Sequence, residues 1–154
     1  MRPDSWTLVG RRLATAAVLI MVVAACGPPA GTLYHVTISA PDGSHPLPVT
    51  LGDQTNVVVA MEAGEQDPSG SSFEPSVKAD PRDPRILDVH WWGGACEAEA
   101  VLAFSADREK FILNIQERAK LALGGCPAVA VSRSVRISTS KAIPVDSITV
   151  IGGK

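Results

Sequence analysis

The chain has 154 residues, of which 45% are hydrophobic and 19% are charged, and this size and apolar content suit a single domain with a buried core. With 14 basic and 16 acidic residues and a formal net charge of −2, it lacks the positive field that nucleic-acid binding requires. The 13 glycines and 12 prolines indicate many turns, at a share below that of low-complexity disorder. Composition therefore excludes a nucleic-acid partner and a disordered chain, and it identifies no activity.

The first 25 residues have the layout of an export signal. Arg11 and Arg12 precede an uncharged apolar run over residues 13–25, which ends at Cys26. The run is shorter than the roughly 20 apolar residues of a transmembrane helix, which favours a signal peptide over a permanent anchor. The alternatives are an ordinary secretory signal cleaved nearby, an uncleaved anchor and a twin-arginine signal.

The stretch Val23-Ala24-Ala25-Cys26 resembles the lipobox of bacterial lipoproteins, in which an aliphatic residue and two small residues precede the lipidated cysteine. The resemblance covers the targeting segment alone. It implies attachment of diacylglycerol to the Cys26 thiol, cleavage before this cysteine and acylation of the new amine, and a thiolate is the natural nucleophile for such an alkylation. We therefore expect a lipoprotein signal peptide at 1–25 and a flexible tether at 26–32.

Loss of the signal peptide removes three arginines and one aspartate, so the mature chain is more acidic than the precursor. Anionic lipid headgroups repel such a domain weakly, and the acyl chains must hold it at the membrane. We expect the protein at the extracytoplasmic face of the cell membrane, with the membrane as a partner through the N-terminal lipid.

Cys96 and Cys126 remain once Cys26 is assigned to lipid. Exported proteins meet an oxidising compartment, in which a pair of cysteines can bridge. We predict a Cys96–Cys126 disulfide, which closes a loop of about 30 residues and contributes roughly 3–4 kcal/mol in the chain-entropy model. Two buried free thiols and a redox pair are the alternatives, and the absence of a Cys-x-x-Cys motif disfavours the redox pair.

Residues 33–154 are typical of a single β-rich domain. Short segments with alternating or β-rich sequences are separated by turn signals. Eight of them are predicted strands: 34–40, 47–51, 56–61, 86–92, 97–104, 111–117, 135–138 and 147–151. The pattern predicts a mainly β fold, an antiparallel β-sandwich or small barrel of about 7–8 strands with one disulfide.

Two segments of this domain need separate interpretation. Residues 107–123 fit a helix and a strand, and we favour a strand at 111–117 because it completes a hairpin with 97–104. Residues 62–85 are rich in proline and poor in apolar residues, and they are predicted to form a long exposed loop.

The sequence contains no recognisable catalytic or metal-binding motif. Its three histidines are scattered, at His35, His45 and His90. They have neither a nucleophile-elbow motif beside them nor the spacing of a zinc site. Asp80, Asp83 and Asp88 lack the spacing of a calcium loop. We expect no enzymatic activity, no metal and no cofactor.

The most distinctive run is His90-Trp91-Trp92-Gly93-Gly94-Ala95-Cys96. Adjacent strand residues face opposite sides, so we predict that Trp91 packs in the core against the disulfide. His90 and Trp92 then form a candidate binding surface on the other face, unless a second sheet covers them. The 62–85 loop is the other candidate, because scaffolds commonly carry binding in loops; its alternative is a connection without function.

These observations together predict a lipid-anchored cell-envelope lipoprotein that acts as a non-enzymatic binding or accessory module. An envelope protein is the candidate partner. The alternatives are an inhibitor or regulator of an envelope enzyme, by analogy at the level of fold, and a small cell-wall hydrolase.

The intact mass of the detergent-extracted protein, measured without reductant, tests the anchor and the bridge together. We expect the mass of residues 26–154 plus two or three acyl chains, less two hydrogens. A water-soluble product without lipid contradicts the lipoprotein prediction, and a mass two hydrogens higher contradicts the bridge. A Cys26→Ser variant serves as the control that cannot accept lipid through this thiol.

Overall fold

The computed structural model of the protein describes residues 31–39, 46–65, 73–119 and 128–153. These ranges contain nine strands and one short 3-10 helix: β1 (Thr32–Ile38), β2 (Leu47–Asp53), β3 (Val58–Ala63), β4 (Ser76–Ala79), β5 (Ile86–Gly94), β6 (Glu97–Asp107), β7 (Lys110–Ala119), β8 (Ala130–Thr139), the 3-10 helix (Val145–Ser147) and β9 (Ile148–Gly152). No helix in these ranges has the length and apolar character needed to cross a membrane. The predicted signal peptide at 1–25, most of the tether, His45 and Cys126 lie outside the described residues.

The strands form two sheets, which confirms the predicted mainly β fold. The five-stranded sheet has the order β1-β2-β6-β7-β9, and the four-stranded sheet has the order β3-β8-β5-β4. Alternate residues of each strand point into the space between the sheets and form a single apolar core there. Its largest fully buried apolar side chains include Trp91, Phe104, Leu51 and Leu113.

The prediction of a wholly antiparallel arrangement is wrong for two strand pairs. β2 pairs with β6 and β7 pairs with β9 in parallel, whereas the other pairs are antiparallel. In both cases the chain leaves the five-stranded sheet, contributes to the four-stranded sheet and then returns. A return of this kind supplies the long crossover that a parallel pair requires.

The interval 62–85 also differs from the prediction of an uninterrupted loop. β3 continues to Ala63, and β4 occupies Ser76–Ala79 as a short edge strand paired with β5. Four residues with one buried side chain, Val77, give a weak periodic signal, and the neighbouring prolines hide it. The prediction of a strand at 111–117 is confirmed, because these residues lie within β7 and pair with β6.

The two ends of the sandwich differ in the connections that they carry. The β1 end is where β1 begins, where the turn after Asp53 lies and where Arg108 occupies the left-handed region in the β6–β7 hairpin turn. The β5–β6 end is where the turn Ala95–Cys96 connects the two sheets. Trp92 is six residues beyond Ile86, which places it about 20 Å further along β5 from the β1 end.

A buried carboxylate organises the turn between β2 and β3. Asp53 has 0% exposure. It accepts hydrogen bonds from the backbone N–H and hydroxyl of Thr55 and from the backbone N–H of Val58. Nearby, the Tyr34 hydroxyl donates to the Val58 carbonyl across the adjacent edges of the two sheets. Asp53 therefore fixes the point at which the chain passes from one sheet to the other.

Replacing Asp53 with alanine should lower the free energy of unfolding by about 3 kcal/mol, because buried donors lose a charged acceptor. Urea unfolding of the mature protein measures the change. Asp107→Ala is the matched control, since Asp107 is exposed at the end of β6 and should change stability by no more than about 0.5 kcal/mol. Equal losses in the two variants would contradict this account of the turn.

Candidate functional site

β5 separates the two adjacent tryptophans onto opposite sides of its sheet. Trp91 has 0% exposure and belongs to the core, together with Leu87 and Val89. Trp92 is half-buried on the outer side, with His90. The structure therefore places Trp91 inward and Trp92 outward, as the sequence analysis predicts. The predicted contact of Trp91 with a disulfide involves Cys126, which lies outside the described residues.

Three aromatic rings form one surface on the outer side of the four-stranded sheet. Phe73, just before β4, places its ring centroid 5.2 Å from that of Trp92, with an angle of 50° between the planes. The His90 ring lies edge-on to Trp92, with a centroid distance of 5.9 Å. Phe73 is 71% exposed, although burial of an aromatic ring is favourable. We call Phe73, His90 and Trp92 the aromatic surface.

A row of charges crosses the same sheet closer to the β1 end. Asp88 lies opposite Lys78 on one side and opposite Arg136 on the other, and Arg136 lies opposite Glu62. The Arg136 guanidinium is 2.8 Å from the Asp88 carboxylate and 3.7 Å from that of Asp80. Opposite charges alternate along this row, and Arg136 is paired with carboxylates before the aromatic surface begins.

Carboxylates flank the aromatic surface at the β5–β6 end. Gly94 shares the Trp92 side of β5, and a Cβ added to it would lie 2.7 Å from Glu97 Oε1. The Glu97 carboxylate therefore occupies the position next to Trp92 along the strand. Glu74 directly follows Phe73 and is exposed. Glu65 is also exposed. It follows Gly64, whose backbone N–H donates to the Ser134 carbonyl, and Ser134 pairs with His90.

Glu117 joins the two sheets beneath this surface. It lies on β7 and accepts a 2.7 Å hydrogen bond from Trp91 Nε1, and a backbone N–H bond from Gly94. A Cβ on Gly93 would lie 2.1 Å from Glu117 Oε1, so the carboxyl group approaches β5 where that strand has no side chain. Burial raises the pKa of Glu117 above its ordinary value of 4.5, and the Trp91 hydrogen bond opposes this effect.

A buried arginine lies beside this carboxyl group. Arg133 pairs in register with Trp91, and its side chain is 1% exposed. Its Nη2 donates to the Gly94 carbonyl at 3.4 Å. Among the described residues, neither Arg133 Nε nor Nη1 has a hydrogen-bond partner, and the same is true of Glu117 Oε2. The polar groups inside this end of the sandwich are therefore only partly satisfied.

The outer face brings together a serine and a histidine, the first two members of a hydrolytic triad. His90 Nε2 lies 2.8 Å from Ser132 Oγ, which is hydrogen-bond reach for a nucleophile and its base. Ser132 is only 4% exposed, however, so a substrate carbonyl has little access to this hydroxyl. Asp88, a carboxylate on the same side of β5, is engaged by Arg136. The contact orients the His90 ring and does not by itself make a catalytic centre.

Among the described residues, the remaining candidates are not assembled into a site. His35 is on the five-stranded sheet, where its Nδ1 lies 3.1 Å from the Thr50 hydroxyl. Asp83 accepts from the side chain and backbone of Arg85, which lowers its pKa to about 2. Within the described ranges, no cluster of three or more His, Cys, Asp or Glu side chains could hold a metal ion.

Comparison with family models, with curated proteins and with solved structures found no match to this chain. The candidate site therefore rests on the chain's own residues. Sequence patterns singled out His90 and Trp92, and they gave the 62–85 loop, which contains Phe73, as the other candidate. They missed Glu97, Glu117 and Arg133. Glu117 and Arg133 break the apolar alternation at inward positions of β7 and β8, and this irregularity was the only available signal.

The raised pKa of Glu117 predicts a pH-dependent contribution to stability. A carboxyl group with a raised pKa stabilises the folded state fully below its unfolded pKa, and this contribution is lost as pH rises through the folded value. Compared with wild type, Glu117→Gln should therefore gain relative stability from about pH 4 upward and then level off. Denaturant unfolding at a series of pH values measures the difference.

Glu109→Gln is the control for this series, because Glu109 is exposed in the β6–β7 hairpin turn. The difference in free energy of unfolding between Glu109→Gln and wild type should vary less with pH than the difference between Glu117→Gln and wild type. A pH-independent difference for Glu117→Gln would show that the carboxyl group ionises as readily in the folded chain as in the unfolded one.

Proposed function

We propose that the protein is a lipid-anchored module of the bacterial cell envelope that binds an envelope protein through its aromatic surface, without catalysis. The observation that carries the proposal is Phe73, which remains 71% exposed while its ring packs on Trp92. Exposed aromatic side chains that adjoin one another are enriched at protein interfaces. The poor access to Ser132 favours binding over hydrolysis.

The position of the surface suits a tethered protein. Gly31 is five positions after Cys26, so an extended tether spans at most about 17 Å between the lipid and the domain. A lipid at Cys26 would keep the β1 end near the membrane. Trp92 lies at the other end of β5, about 20 Å further along that strand. The anchor and the binding surface would then be at opposite ends of the sandwich.

We retain the Cys96–Cys126 disulfide as part of the proposal. Ala119, the last residue of β7, pairs with Glu97, and Ala130, the first residue of β8, pairs with Gly94. The chain between β7 and β8, which contains Cys126, thus leaves and returns beside the turn that holds Cys96. This placement supports a bridge that closes the β5–β6 end.

Site-specific photo-cross-linking in the cell that makes the protein tests the binding surface. A photoreactive phenylalanine analogue at position 73 retains the aromatic ring, and the same analogue at Leu33 is the control. Leu33 is 62% exposed but lies on β1, in the five-stranded sheet. We expect a discrete cross-link to an envelope protein from position 73 and none from position 33. Equal yields at both positions, or none at 73, would overturn the proposed surface.

A further inference from the structure

We propose that the aromatic surface recognises a cationic side chain, a lysine or arginine in a basic segment of its protein partner. This inference rests on the proposed function and specifies the chemistry of the partner. It is carried by the combination of exposed Phe73, packed on half-buried Trp92, with flanking carboxylates, on a face whose arginine, Arg136, is already paired.

The aromatic rings provide the first attraction. The face of an aromatic ring is negative and attracts an ammonium or guanidinium group within about 6 Å of its centroid. Phe73 is 71% exposed, so a cation could reach its ring without rearrangement of the sheet. The centroids of Phe73 and Trp92 are 5.2 Å apart, so one extended side chain could contact both rings.

The carboxylates provide the second attraction. Glu97 reaches over Gly94 to the position next to Trp92, Glu74 follows Phe73, and Glu65 lies beside the row that contains His90. They approach the aromatic surface from three different strand ends. An anionic ligand would be repelled here, whereas a partner with several positive charges could meet more than one carboxylate.

Among the described residues, Glu97 and Glu65 form no ion pair with the nearby arginines. Arg136 is paired with Asp88 and Asp80 in the row of charges. Arg118 forms a 3.0 Å ion pair with Glu99, and Arg133 is buried between the sheets. Among the described residues, the end of the sandwich that carries the aromatic surface therefore presents a net negative field to solvent.

The shape of the surface favours a side chain on a macromolecule over a small free cation. The two rings are tilted by 50° and pack against each other, which makes an open platform and not an enclosing aromatic cage. A small quaternary ammonium ion would remain largely hydrated on such a platform. A basic segment can add contacts with the dispersed carboxylates, and this increases the affinity.

Fluorescence anisotropy with the detergent-solubilised mature protein tests the inference. The probes are a labelled lysine-rich peptide and a matched peptide in which glutamine replaces every lysine. We expect the lysine-rich peptide to bind, and binding to weaken as salt shortens the Debye length. Equal binding of both peptides, or no binding of the lysine-rich peptide, would overturn the cationic specificity. If tetramethylammonium displaces the peptide at a concentration equal to that of the peptide's lysines, the preference for a side chain on a macromolecule over a small free cation is overturned.

Variants locate the binding. The affinity for the lysine-rich peptide should fall by about 2- to 5-fold in each of three variants, Phe73→Ala, Glu97→Gln and Glu65→Gln. Glu99→Gln is the control, because this carboxylate is paired with Arg118, and its affinity should be unchanged. Glu65→Gln provides a test that does not involve Glu97, whose charge also acts on Glu117. Equal affinities across all four variants would overturn the assignment to this surface.

The outcomes distinguish this inference from the proposed function. A cross-link from position 73 together with failure of the lysine-rich peptide would retain the surface and remove its cationic specificity. Loss of the cross-link would remove the surface itself.

Discussion

The hydrogen bond from the Trp91 indole to Glu117 connects the two sheets at the β5–β6 end, and the candidate surface depends on it. It holds Trp91 inward at 2.7 Å from a carboxylate of the opposite sheet. Because side chains alternate along a strand, an inward Trp91 requires an outward Trp92. Glu117 can approach this closely because Gly93 presents no side chain. The apolar core and the outer surface are thus fixed by the same contact.

Buried Asp53 and half-buried Glu117 have different environments, and this distinguishes the ends of the sandwich. Asp53 receives three hydrogen bonds within its own turn, so its charge is well compensated. Within the described ranges, Glu117 Oε2 and two nitrogens of the neighbouring Arg133 have no hydrogen-bond partner. Unsatisfied buried polar groups cost stability. Among the described groups, Asp53 is therefore better satisfied than Glu117 and Arg133, which lie beside the surface that we propose for binding.

The outer face of the four-stranded sheet has a corresponding division. In its middle, opposite charges alternate across strands, and Arg136 pairs with Asp88 and Asp80, which stabilises the sheet. Among the described residues of this outer face, the basic side chains end towards the β5–β6 end, and carboxylates lie around the aromatic rings. The two parts of the face therefore differ, and a partner would meet an aromatic region with carboxylates next to a row of alternating charges.

Local patterns in the sequence determined the β class, most strand positions and the opposite placement of Trp91 and Trp92, because side-chain alternation is set by backbone geometry alone. They also gave the lipoprotein resemblance, which concerns residues outside the described ranges. Pairing between distant strands was decided only by the tertiary structure: the parallel pairs, the edge strand β4, and the positions of Glu117 and Arg133. Phe73 is next to Trp92 because β4 pairs with β5, and Glu97 is next to it because the turn at Ala95–Cys96 reverses the chain. Contacts of this kind depend on which strands become neighbours, and no local pattern specifies that.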